Sequence, residues 1–238
     1  MTTAGVVAAL AAEARVLEPM RRRDDGCWVR ADGTLVLVSG MGREAACEAA
    51  ERLVRVGVDA LVSWGLAGGL DPALEAGVVL LPAEVIDARG MRFATARHWR
   101  EAQAALLGAH VVSGPLLTCL TPLESVEAKS AAFRGTGASA VDMESSAVAE
   151  VATLHGVPFI VVRAIIDTAR DAIPPAVAGA TVAGSLELHR LLLGLLRSPG
   201  EIAAMVRLAR RYRAAMRSLR AVARGGILSP PAAAGMPA

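Results

Sequence analysis

Three carboxylates stand where strand-like runs end. The segment PFIVVRAIID closes on Asp167, and five of the eight residues before it are Val or Ile. That is the pattern of a parallel strand covered on both faces, where an unpaired carboxylate is costly. In open α/β sheets the carboxyl ends of the strands form the ligand crevice, so such an Asp is placed either to serve a ligand or to cap the following turn. Glu13, in AALAAEARVLEP, follows the first strand-like run, and Met143 and Glu144 sit at a strand-to-helix junction in AVDMESSAVAEV. Taken singly, an acid in a first helical turn is a dipole-favoured surface charge. Taken together, acids at several strand ends are the equipment for proton transfer and for stabilising a developing cation.

Two glycine-rich stretches accompany the acids. SGMGREAA (39–46) feeds a helix whose N-terminal amides suit an anion. It also satisfies G-x-G-x-x-A through Gly40, Gly42 and Ala45, but a dinucleotide site wants an acid near the end of the next strand, and that strand ends in Ser63, Trp64 and Gly65. A nicotinamide-dependent oxidoreductase is therefore a remote alternative, beside a non-catalytic nucleoside-binding protein. GLAGGLDP (65–72) reads as a turn that lets backbone approach a ligand closely.

The elements that must position these residues alternate. Strand-like runs fall at 6–10, 34–40, 60–65, 78–86, 110–120, 138–143 and 158–166. The clearest helical pattern is REAACEAAERLVRVG (43–57), rich in Ala, Leu and Glu and ending on Gly57. TPLESVEAKSAAFR (121–134) offers Thr121 as N-cap, Pro122 at the first helical position and Glu124 for a capping box. Such alternation predicts α/β architecture: a mixed, mostly parallel central sheet with helices on both faces. Residues 1–224 read as one domain, with 176–224 as a helical extension and the Gly, Ala and Pro-rich 225–238 as a disordered tail. In 201–224, Arg207, Arg210, Arg211, Arg213, Arg217, Arg220 and Arg224 share one half of a helical wheel, while Met205, Leu208, Ala209, Tyr212, Met216, Leu219 and Val222 share the other. That face either packs on its own domain or a subunit partner, or lies on an anionic membrane surface.

Composition narrows the class. With 238 residues, 54% hydrophobic content, 20% charge and net charge +2, the chain builds a substantial core and has no nucleic-acid-binding excess of charge. Mean hydropathy is +0.46, yet no run approaches about 18 apolar residues without a charge. The N-terminal GVVAAL carries no signal-peptide pattern, which makes the cytoplasm the expected location. Cys27, Cys47 and Cys119, like the four scattered histidines, lack metal-ligand spacing, so no metal is expected.

The set A-x-x-x-E after the first strand, S-G-M-G, G-L-A-G-G, V-D-M-E-S and V-R-A-I-I-D resembles the purine nucleoside phosphorylase and nucleosidase superfamily, over roughly residues 5–175, in the branch with the methylthioadenosine/S-adenosylhomocysteine nucleosidases. Through VDMESSAVAEVA, TPLESVEAK and the extended C-terminus it looks most like the hopanoid-associated nucleoside phosphorylases. The resemblance implies a three-layer sandwich that cleaves the N-glycosidic bond of an adenine nucleoside, with adenosylhopane as the expected substrate and methylthioadenosine or S-adenosylhomocysteine as the alternative. It implies no cofactor, phosphate or water as co-substrate, and a homo-oligomer. A lipid-linked substrate would bring the enzyme to the inner face of the membrane. Asp167 would protonate N7 of the purine, Glu144 would accept the ribose hydroxyls, and Met143 would pack on the sugar, with Asp142, Gly68 and Gly69 completing the substrate site. Glu13 aligns with the glutamate that activates water in nucleosidases. Phosphorylases carry arginines where this chain has Glu13 and approximately Ser63, which leaves Gly42 and Arg43 as the candidate phosphate ligands. Leu66 and Ile166 stand where nucleosidases usually have serines, which makes the implied pocket more apolar.

Overall fold

Apolar runs that can be buried on both faces become the central strands. In the computed structural model, which describes residues 2–108, 111–173, 181–182, 185–186, 202–225 and 228, the chain runs β1 (Ala4–Ala8), α1 (Ala11–Arg15), β2 (Met20–Arg22), β3 (Trp28–Arg30), β4 (Leu35–Val38), α2 (Arg43–Arg55), β5 (Ala60–Gly69) and β6 (Val79–Leu80). It continues through β7 (Glu84–Ile86), β8 (Arg92–Ala94), α3 (Arg97–Leu107), β9 (Val111–Val112), β10 (Leu116–Thr118), α4 (Val126–Thr136), β11 (Ala140–Asp142), α5 (Ser145–His155) and β12 (Phe159–Asp167). A two-stranded pair, β13 (Thr181–Val182) and β14 (Ser185–Leu186), and the long α6 (Ile202–Gly225) follow.

Twelve strands form one mixed sheet, in the order β2-β3-β4-β1-β5-β11-β10-β7-β8, with β12 paired to β5 and β6 and β9 beyond it. β5 is the axis. Ala60–Trp64 pairs in parallel with β1, Leu61–Gly68 pairs in parallel with β12, and Gly68–Gly69 meets β11 antiparallel. The side chains of β5 and β12 alternate between two cores, as the pleat requires. Leu61 and Val161 face a layer that includes Ala46, Ala49, Ala50 and Leu53 of α2 and Val148 and Val151 of α5. Val62, Trp64, Ile160 and Val162 face Ala14 of α1, Trp99 of α3 and Ala215, Met216, Leu219 and Val222 of α6. Helices thus cover both faces, as the alternation predicts.

Several local expectations are corrected. The Gly-rich 65–72 is no turn for most of its length, because β5 stays extended to Gly69 and its glycines let β12 and β11 approach closely. An added Cβ at Gly69 would stand 3.0 Å from the backbone oxygen of Asp167. The runs 78–86 and 110–120 are each broken into two short strands, at Leu81–Ala83 and Ser113–Pro115. The helix expected from Thr121 starts at Val126 instead, where the Ser125 hydroxyl accepts the amide of Ala128 at 3.1 Å. Thr121 and Pro122 are left to line a cavity. The hairpin β2–β3 is missed, although Asp25-Gly26 in its loop is a turn signal and Gly26 has φ of +80°.

In α6 the apolar side chains Ala215, Met216, Leu219, Val222 and Ala223 are buried in the domain, so packing, not a membrane, occupies that half of the wheel. Arg207, Arg210, Arg213, Arg217, Arg220 and Arg224 are exposed, and so is Ala209, which the wheel placed on the apolar half. No helix among the described residues is long and apolar enough to cross a membrane. Of the expected extension, most of 176–201 lies outside the described residues, as does the expected tail except Gly225 and the buried Leu228.

Candidate active site

One cavity of about 540 Å³ opens where β5, β11 and β12 end, and its lining includes Glu13, Met143, Glu144, Asp142, Gly68 and Asp167. The sequence-predicted acids are thereby brought together. Leu10, Met41, Leu66, Leu123, Val141, Ile166 and Ile173 make the rest of the wall largely apolar.

Glu13 sits in the first turn of α1 and reaches back to its start. Its carboxylate accepts the amide of Leu10 at 2.9 Å through Oε2 and the amide of Leu66 at 2.9 Å through Oε1. The first bond is the glutamate half of a capping box, and the second ties the helix to β5. Trp64 donates its indole N–H to the Glu13 backbone oxygen at 3.1 Å. Burial raises the Glu13 carboxyl above its ordinary value, against the opposing charge of Arg163 and the two amides. Gly65 makes this packing possible: a Cβ there would stand 2.7 Å from Oε1.

Glu144 caps the path from β11 into α5. It accepts the amide of Gly42 at 2.8 Å, and Gly42 has φ of +96°, a conformation that favours glycine. The anion held at the start of α2 is therefore the protein's own carboxylate. Burial, aided by the charge of Asp142, pushes the Glu144 carboxyl up to about 7. Arg43, the other candidate phosphate ligand, turns its guanidinium to Glu150, which also bonds Arg89. The geometry commits neither group to an outside anion.

Asp142 borders the cavity with its carboxylate already engaged. It accepts Thr118 Oγ1 at 2.8 Å, Arg163 Nε at 2.9 Å and Nη2 at 2.8 Å, and the amide of Ser145 at 3.3 Å. Arg163 is 2% exposed and also donates to Ser63 Oγ at 2.8 Å and Ser145 Oγ at 3.1 Å. Ser63 thus belongs to a buried polar knot beneath the site. Sequence reasoning missed this role of Arg163, although a charged residue inside so apolar a strand is a visible signal.

Asp167 owes its place to an irregularity. The register of β12 against β5 shifts between Ile165 and Asp167, so Ile166 and Asp167 both line the cavity where strict alternation would separate them. Oδ1 lies against Gly68, 3.3 Å from where a Cβ would stand, while Oδ2 accepts Lys129 Nζ. Burial raises the Asp167 carboxyl above its ordinary value even though Lys129 opposes the shift. Gly69 packs behind Asp167 and Thr168 and does not line the cavity. Lys129 was not foreseen, since one lysine on a polar helix carries no signal of burial. Among the described residues no cluster of His, Cys, Asp or Glu has metal-ligand geometry.

The three-layer α/β fold, with an acid-lined crevice at its strand ends, is that of the nucleoside phosphorylases and nucleosidases. The chain belongs to the Phosphorylase superfamily, whose family model matches residues 27–197. It is accordingly an enzyme that cleaves N-glycosidic bonds, in a class that uses phosphate or water as co-substrate and no cofactor. No curated protein sequence matches it. Among solved structures it is similar to the 5′-methylthioadenosine/S-adenosylhomocysteine nucleosidase of Neisseria meningitidis in complex with methylthio-immucillin-A, at 21% identity and TM-score 0.68, covering 93% of this chain and 99% of that one. The corresponding Helicobacter pylori enzyme has 16% identity and TM-score 0.66, covering 94% and 98%. A futalosine hydrolase mutant from Helicobacter pylori has 19% identity and TM-score 0.61, covering 69% and 89%.

Proposed function

We propose that the enzyme hydrolyses the N-glycosidic bond of an adenine nucleoside bearing an apolar group on ribose C5′, releasing adenine. The observation that carries water over phosphate is the charge of the cavity: among the described residues its charged lining consists of Glu13, Glu124, Asp142, Glu144, Asp167 and Lys129, and the lysine is fully engaged with Asp167 and two carbonyls. A phosphate dianion would meet acids there and no uncommitted cation. In this reading Asp167 donates its proton to N7, and the C1′–N9 electrons move onto the purine. Glu144 holds the ribose hydroxyls beside the growing positive charge on the sugar, and Met143 packs on the ring. Water adds to C1′ and gives its proton to Glu13, whose two oxygens each keep a second lone pair beside their amide bonds. Proton return from Glu13 to Asp167 through solvent closes the cycle.

The apolar wall, with Leu66 and Ile166 in it, supports a greasy C5′ group, and the resemblance to the hopanoid-associated branch makes adenosylhopane the finer expectation. Methylthioadenosine, with its short apolar substituent, is the second substrate to try. Adenine release from each is measured in phosphate-free buffer and in phosphate, with Asp167→Asn as the inactive control, expected to lose about a hundredfold or more. Phosphate-independent release with a free sugar as product is expected. A requirement for phosphate with a sugar 1-phosphate as product overturns the hydrolytic reading.

A further inference from the structure

Lys129 is 1% exposed, on a helix that is otherwise at least partly open to solvent. An ammonium withdrawn from water needs a partner for each proton. Lys129 has them all: Asp167 Oδ2, the Thr168 carbonyl at 3.1 Å and the Asp171 carbonyl at 2.9 Å. Three acceptors from one stretch of chain fix the ammonium in place, so it is not a mobile counterion. The two oxygens of Asp167 are thereby made unequal. Oδ2 receives an N–H, and a proton on that oxygen would face another donor. Oδ1 accepts no hydrogen bond among the described residues, and Asp167 lines the cavity.

We propose that Lys129 is a positioning residue that confines the transferable proton of Asp167 to Oδ1, the oxygen it leaves free, and stabilises the carboxylate left after transfer. The inference rests on the reading of Asp167 as the proton donor. A general acid must hold its proton before the reaction and release it into a stable anion afterwards. Burial alone serves the first need and works against the second. The ammonium at Oδ2 answers the second without occupying Oδ1. The other groups acting on Asp167 are Asp171 on the following loop, which raises its proton affinity, and Arg211 of α6, which lowers it. Glu13, Glu124, Asp142 and Glu144 line the same cavity. Arg211 itself pairs with Asp171, so Lys129 is the cation that touches the reacting carboxyl.

The sign of the effect on pH dependence follows. Asp167 acts while protonated, so activity falls as pH rises through its pKa. Lys129 pulls that pKa down, and removing its charge moves this descending limb to higher pH while the plateau drops. Lys129→Met, Lys129→Arg and wild type are compared for adenine release from methylthioadenosine, or from adenosine if the former is no substrate, across pH. Lys129→Met is expected to lower kcat by about ten- to a hundredfold, the scale of a lost charge-assisted hydrogen bond, with little change in KM. Lys129→Arg restores most of kcat and returns the limb to its place. The titration midpoint of the Asp167 carboxyl, followed by carbon-13 NMR, rises in Lys129→Met whether or not the substrate has been identified. If Lys129→Met does not fold, Lys129→Gln, which keeps a donor without the charge, is judged by the same criteria. An unmoved limb and midpoint, or an arginine variant no better than the methionine one, overturns the proposal. Full activity in Asp167→Asn would instead sink the reading of Asp167 as donor, and the NMR midpoint would still decide the role of Lys129.

Discussion

Gly65→Ala adds one methyl group to the enzyme and is expected to behave as a loss of Glu13. The new Cβ would stand 2.7 Å from Glu13 Oε1, 2.8 Å from Cδ and 2.9 Å from Oε2, all closer than carbon and oxygen normally approach. A glutamate on the surface would swing away. This one is 4% exposed and bonded through separate oxygens to the amides of Leu10 and Leu66, so it moves only by giving up at least one of them. Breaking one charge-assisted bond costs about 1.5–3 kcal/mol of stability. Displacing the group that takes the proton of water costs about a hundredfold or more in kcat. Adenine release and thermal unfolding are measured for Gly65→Ala, Glu13→Ala and the double variant. With the glutamate side chain gone the methyl group has room, so the double variant is expected to match Glu13→Ala in activity, and Gly65→Ala is expected to destabilise the Glu13→Ala background less than the wild type. A folded Gly65→Ala with wild-type turnover would refute the placement of Glu13 in the chemistry. An equal stability loss in both backgrounds would trace the effect to the backbone of β5 and refute the clash.

Two further outcomes are expected. Glu144 must be ionised to hold the ribose beside a developing cation, and its carboxyl is pushed up to about 7, so kcat/KM rises with pH through a limb with its midpoint there. An ascending limb at the ordinary glutamate value would contradict the burial argument. Arg163→Met leaves the buried Asp142 with Thr118 and Ser145 alone, a loss on the scale of about 3–5 kcal/mol for a broken buried pair. At about 2–4 °C per kcal/mol for a chain of this size, the unfolding midpoint falls by about 6–20 °C; a fall within about 3 °C would show that the pair contributes little.

The central strands and the acids were legible because their signals are local. β1, β4, β5 and β12 are strongly apolar runs, Glu13 and Glu144 closely follow strand-like runs and Asp167 closes one, so chain order alone puts the three acids near strand ends. The glycines misled because a strand crowded by two neighbours and a tight turn both call for small residues. GLAGG holds β5 extended where β11 and β12 converge, and only the pairing distinguishes the two cases. The same limit hid Lys129 and the Arg163 knot. Lys129 is separated from Asp167 by 38 positions and Ser63 from Arg163 by 100, and no local pattern encodes such pairings. The start of α2 was read as an anion site in the right place, but the ligand it holds there comes from Glu144, 102 positions away.

The long last helix has a consequence for how the enzyme comes into being. α6 lies after the span that the family model matches, yet its apolar side chains share one core with Val6 of β1, Val62 of β5 and Ile160 and Val162 of β12. During synthesis those strands are made first, and one face of their sheet lacks this cover until Ala215, Met216, Leu219 and Val222 have emerged. Arg211, on the same helix, reaches Asp171, whose backbone carbonyl helps hold Lys129 against Asp167. The nascent chain thus carries every acid of its crevice while the scaffold behind Asp167 is still unfinished, and the finishing piece emerges only after all twelve strands of the sheet have been made.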